Sequence, residues 1–239
     1  SGSILLTNGG DYYYSGGELT TSGTLRITNG STLRVCSGAL TITGSLQLRT
    51  GSIIIEEGAS LILTQNATIG TEGNGDPGNG VTISNRGMLT FGSSLILRPS
   101  NGNGSHVIVA TGAALTANEI IIDEYSSLTN RGDISVATRF YMRGVGFWDV
   151  CLGDQSTITT GRVQVMTDPS NADRLVVGAG EACIRITQIE TPGSVIQQSL
   201  TASEGLYICR MPGVPQTGNY GAATVVDGCN NCGDILPKP

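Results

Sequence analysis

Gly38-Ala-Leu-Thr-Ile-Thr-Gly-Ser-Leu-Gln-Leu-Arg-Thr-Gly-Ser-Ile-Ile-Ile55 states one short phrase three times: Gly, a small residue, then two apolar residues separated by one other side chain. Apolar residues two apart fit a strand, whose pleat sends alternate side chains to opposite faces. Upstream the phrase recurs as Gly17-Glu-Leu-Thr-Thr21, Gly23-Thr-Leu-Arg-Ile27 and Ser31-Thr-Leu-Arg-Val35. Its first apolar residue falls at Leu19, Leu25, Leu33, Leu40, Leu46, Ile53 and Leu61, in steps of 6, 8, 7, 6, 7 and 8. Any three successive steps span 20 or 21 residues, so Leu19, Leu40 and Leu61 stand 21 apart, as do Leu25 and Leu46.

Three short strands and three corners in about 21 residues form one coil of a solenoid, in which each repeat buries its apolar side only by stacking on the next. The expected fold is all-β: a right-handed parallel β-solenoid with Leu and Ile ladders inside. Gly, Asn and Ser between strands suit the corners, where a positive φ is needed. The period stretches at the polar run 70–80 and again near 99–104, with rungs resuming at Val81, Leu89 and Leu95 and then at Val107, Leu115, Ile120, Leu128 and Ile134. That gives five to six coils to residue 136. Weaker strands follow at 139–142, 157–160, 163–166, 175–177 and 184–189. The expected organisation is a solenoid over 1–165, then irregular further coils and a C-terminal capping or contact segment over 166–239, with prolines from Pro192 onward.

Only 13% of residues are charged and 5% are aromatic, so the surface is largely neutral and polar. The 13 basic residues form no run in the sequence, and the net charge of −6 argues against nucleic acid as a partner. No stretch has the roughly 18 consecutive apolar residues that span a bilayer, so membrane insertion is not expected. A chain beginning at Ser1 is expected to be a mature form after leader removal. Six cysteines, Cys36, Cys151, Cys183, Cys209, Cys229 and Cys232, with a single histidine, suit disulfides in an oxidising, extracellular compartment. Their spacing leaves the pairing open. Zinc at Cys229 and Cys232 is disfavoured, because the only histidine, His106, lies beside a strand and no second Cys-x-x-Cys exists.

In most phrases the middle, outward residue is polar, as with Thr20, Arg26, Arg34, Thr41 and Gln47. At Ile54, Ile62, Ile96, Ile108 and Ile121 it is apolar, which calls for a cover: the C-terminal third folded back, or another subunit. Ile4, Leu5 and Leu6 with Tyr12, Tyr13 and Tyr14 are candidates to cap the open strand edges or to dock there.

Chemistry is sparsely signalled. Glycoside cleavage uses two carboxyls held roughly 5 to 10 Å apart, and no strand carries a paired acid. Asp123 and Glu124 after a strand, and Asp149 and Asp154 flanking Cys151, are the best acidic candidates, with solvated turn residues as the ordinary reading. Glu72 to Asp76 offers oxygen donors for weak calcium binding at most, and no resident cofactor is expected. Arg131-Gly-Asp133 is an integrin-like tripeptide common at solenoid corners. Asn29, Asn66 and Asn103 head glycosylation sequons. An ice-binding array of outward Thr-x-Thr is broken, because Thr41-Ile-Thr43 is not matched at Gln47 or Leu61. Trp148 beside Phe147 is the only tryptophan.

The run from Gly38 to Ile55, within residues 17 to 136, resembles the irregular β-helix segments of secreted bacterial surface proteins, namely adhesins of gliding-type bacteria and autotransporter passengers. The resemblance is one of pattern and transfers no site residue. It implies a structural or adhesive extracellular role. The leading expectation is a self-assembling filament or surface-layer subunit, not an enzyme, whose partners are copies of itself. The alternatives are a monomeric adhesin or carbohydrate-binding module recognising surface glycans, and a polysaccharide lyase or hydrolase on the same scaffold.

Overall fold

A computed structural model describes residues 2–70, 80–84, 86–98, 104–144, 149–167, 173–178, 180–188, 200–202, 204–214 and 222–236. Its 22 strands join in one continuous ladder system, and every pairing is parallel. The only helix among the described residues is a single 3-10 turn, Cys232–Asp234.

The strands sort into three faces. Face 1 stacks Ile4–Leu6, Leu25–Ile27, Leu46–Leu48, Ala67–Ile69, Ser94–Leu97, residues 119–122, residues 139–144 and residues 162–167. Face 2 begins with residues 11–14 and 31–35, continues through Gly51–Ile55, Gly80–Ile83, His106–Val109, Ser127–Asn130, Asp149–Leu152 and Asp173–Val177, and ends at Leu200–Ala202. Face 3 runs from residues 18–21 through residues 39–42, Ser60–Leu63 and Met88–Phe91 to Ala182–Ile186, Leu206–Arg210 and Thr224–Asp227. This is the expected parallel β-solenoid with three strands per coil.

The repeat also set the register. Leu19 pairs with Leu40 and Leu40 with Leu61, and Leu25 pairs with Leu46. Where the polar insertion intervenes, Leu61 pairs with Leu89, 28 positions on. The added length falls in 71–79, outside the described residues, and the ladder resumes without losing the alternation of faces. Face 3 also carries its ladder past residue 165 to Asp227.

Inside, Leu25, Ile27, Leu48, Ile55, Leu61 and Leu63 have essentially no exposure and belong to one continuous core. Burial of each such side chain contributes about 1.5–3 kcal/mol. The corners follow a rule finer than glycine content. At 28–31, 56–59, 84–87, 110–113, 123–126 and 153–156 the fourth residue's N–H donates to the first residue's carbonyl. The third residue takes a positive φ, from Gly58 at 72° to Arg86 at 57°, Tyr125 at 59° and Gln155 at 58°. The fourth is small and buried: Ser31, Ala59, Ala113, Ser126 and Ser156. A larger side chain there would enter the core where the chain turns into its next strand. Asn130 is buried at a ladder position and satisfied on both sides, donating to Thr157 O at 3.0 Å and accepting from Gly132 N at 3.1 Å.

Past Asp227 the chain folds back. Residues 228–236 lie on the outer side of face 3, where Cys183 and Cys209 point outward between the inward residues of their strands. Cys183 bridges Cys232 and Cys209 bridges Cys229, each pair with a Cα–Cα distance of 5.7 Å. Cys36 and Cys151, also disulfide candidates from the sequence, stand outside these two bridges. Cys36 directly follows residues 31–35 of face 2 near the first coils and Cys151 lies on face 2 many rungs later, whereas the C-terminal cluster lies on face 3. Two bridges of this kind fit an oxidising environment.

Candidate functional site

The first coil of the described residues is the least finished part of the core. Leu19 heads an inward ladder whose next members, Leu40 and Leu61, are 3% and 0% exposed, yet Leu19 itself is 46% exposed. No rung of the described structure lies above it. The six candidates near this end divide by the pleat. Ile4, Leu6, Tyr12 and Tyr14 point inward and pack on the core, with Leu6 fully buried. Leu5 and Tyr13 point outward and are strongly exposed. Tyr14 Oη donates to Gly17 O at 3.1 Å and Ala39 O at 3.3 Å, which fixes the ring over the first corner.

The outward isoleucines do not form one patch. Ile54 and Ile108 are on face 2, Ile62 on face 3, and Ile96 and Ile121 on face 1. Ile54 lies between Arg34 and Thr82, Ile62 between Thr41 and Thr90, and Ile108 between Thr82 and Thr129. With rungs about 4.8 Å apart, these neighbours cover much of each side chain, and all but Ile121 are half-buried. Ile121 is fully buried between Ile96 and Tyr141. The cover anticipated for these residues is thus supplied largely by their own ladders.

Face 1 carries the most developed polar network. Ser94 Oγ donates to Glu119 at 3.1 Å, Arg139 pairs with Glu119 and donates onward to Gln164 at 2.9 Å, and Arg143 pairs with Asp123. The hydrogen bond to Asp123 raises the Arg143 pKa above its ordinary value. The Arg139 guanidinium lies 4.3 Å from the Tyr141 ring centroid and covers that ring. This gathering of arginines was not visible in the sequence, where they lie scattered between residues 26 and 162.

A groove of about 520 Å³ opens on the side of face 2, lined by Thr111, Thr129, Arg131, Cys151, Asp154 and Gly178 among others. Small residues leave the depression; a Cβ at Gly153 would press on Arg131. Of the acidic candidates, Asp154 Oδ1 accepts from Glu181 N at 3.0 Å at a corner, and Asp123 is held by Arg143. Asp149 opens a face 2 strand, and Glu124 lies in the turn after residue 122. No three metal-ligating side chains converge among the described residues. Glu72, Asp76, Asn103, Phe147, Trp148 and Pro192 lie outside the described residues. His106 is the first residue of its strand, and burial pushes its pKa below the ordinary value. Arg131 and Asp133 are exposed at a corner, as the ordinary reading of that tripeptide anticipated.

No helix among the described residues is long and apolar enough to cross a membrane. Comparison with protein-family models, with curated proteins and with solved structures finds no match to this chain, so its affiliation rests on its own architecture.

Proposed function

We propose that this chain is a secreted, extracellular structural protein whose copies associate end to end into a filament or surface layer. The observation that carries the reading is Leu19, an inward ladder residue left 46% exposed beside the exposed Leu5 and Tyr13. The strand edges there, over Ile4–Leu6 and residues 11–14 and 18–21, have partners on one side only among the described residues. At the opposite end Thr224–Asp227 is likewise paired on one side. Because all rungs are parallel, Thr224–Asp227 of one copy has the strand direction needed to extend residues 18–21 of the next. Such a contact is heterologous and repeats without closing. Two disulfides and a weakly charged surface support a role outside the cell. The outward isoleucines are dispersed over three faces and form no single side patch, which favours the ends as the surfaces that associate.

The test is sizing of the 239-residue chain over a wide concentration range, with negative-stain microscopy. Mass should grow with concentration, and Leu19→Lys should return it to a monomer with an unchanged melting temperature. A wild-type chain that stays monomeric at the highest concentration removes the proposal.

A further inference from the structure

We infer that the outer side of face 1 binds a linear acidic polysaccharide, a polymer whose sugars carry carboxylates, lying along the solenoid axis. The inference stands independently of end-to-end assembly. In a chain of net charge −6, Arg26, Arg49, Arg98, Arg139, Arg143 and Arg162, six of its 13 basic residues, come to this face and its trailing corner. Opposite them stand Glu119 and Asp123, each held by one arginine, and Glu124 in the adjoining turn. The remaining carboxylates of the described residues lie elsewhere, so a polyanion meets attraction on this side and repulsion on the others.

Three features select the polymer. All six cations are arginines, four on strands of the face and Arg49 and Arg98 just past strand ends, and a guanidinium grips a carboxylate with two parallel hydrogen bonds where an ammonium offers a point charge. The Nε atoms of Arg26 and Arg162 are buried with no hydrogen-bond partner among the described residues. The arginines run from the second rung of the face to the eighth, about 29 Å at the usual strand spacing, which suits a chain rather than a single small anion. The rungs between them present Gln47, Thr68, Asn66 and Ser94 with the half-buried Ile96, neutral groups for sugar hydroxyls and one apolar contact. A single-stranded nucleic acid would need open aromatic rings on which to stack its bases. On the strands of this face the only outward aromatic among the described residues, Tyr141, is covered by Arg139, and the trailing corner adds a single exposed ring, Tyr125, too few for a run of stacked bases.

The experiment is fluorescence anisotropy with labelled polygalacturonate, neutral dextran of similar length, and an oligothymidylate of similar charge. Polygalacturonate should bind, more weakly as salt screens the contact, and dextran should not. Combining Arg26→Gln, Arg49→Gln and Arg162→Gln should weaken binding roughly tenfold, while Arg86→Gln, exposed at another corner beside Glu57, should leave it unchanged. If the triple variant fails to melt like the wild type, the exposed Arg49→Gln alone decides, with an expected loss of roughly twofold to threefold. Absence of polygalacturonate binding at low salt, equal losses in the Arg49 and Arg86 variants, or tighter binding of the oligothymidylate would each overturn the inference.

Discussion

Reducing the two disulfides should loosen the last coils of the solenoid and leave the first ones intact. Cys209–Cys229 closes a separation of 20 residues and Cys183–Cys232 one of 49. Treated as loop closures in the unfolded chain, the inner bridge contributes about 3.3 kcal/mol. Once the inner bridge exists, the outer one closes an effective loop of about 30 residues and adds about 3.6 kcal/mol. The sum of about 7 kcal/mol is an upper limit for the two crosslinks, part of which is offset where the packing among Cys183, Cys209, Ile235 and Leu236 persists after reduction. Because each coil contacts only its neighbours, the loss stays where the bridges are. Hydrogen exchange followed by mass spectrometry, with and without reductant, reads this directly. Amides of Leu206–Arg210 and Thr224–Asp227 should lose protection by up to about five orders of magnitude, while those of Leu46–Leu48 keep theirs. Losses below tenfold at the C-terminal strands, or equal losses along the whole solenoid, would refute the reasoning. Cys36→Ser, outside both bridges, serves as the control.

Three further outcomes are expected. Leu61→Ala should destabilise the chain by about 2–5 kcal/mol, whereas Ile62→Thr, the neighbouring outward position, should change stability by less than about 1 kcal/mol; urea unfolding midpoints compare them. Asp227→Asn should destabilise the last coil by about 1–3 kcal/mol, because Arg210, only 1% exposed, keeps its charge after losing that carboxylate; exchange at Leu206–Arg210 reports it. His106 is the only histidine, and burial lowers its pKa below the unfolded value of about 6.5. Below that pH the unfolded chain takes the proton first, so this contribution to stability is complete above pH 6.5 and is lost as pH falls through the folded pKa. Urea midpoints between pH 7.5 and pH 5 should therefore fall in the wild type and fall less in His106→Gln.

The fold was legible because its signal is local. A period of two within each strand and a corner every six to eight residues decide which side every residue faces, and the stacking of Leu19 on Leu40 and Leu61 follows from counting. The same alternation separates Tyr12 and Tyr14, which face in, from Tyr13, which faces out. The outward isoleucines call for a cover, the C-terminal third or another subunit, only while a linear reading does not say which of the three faces each occupies. Ile54 and Ile62, eight residues apart, are on different faces.

The sequence by itself determined the coil, its core ladders and the polar character of its surface, since these depend only on spacing within and between adjacent phrases. The tertiary structure decided which cysteines meet, which face gathers the arginines, and that Leu19 is left exposed at the end of its ladder. Those outcomes depend on accumulated register: each insertion shifts what stacks on what, and residues such as Arg26 and Arg162 share a face only after every intervening coil has closed.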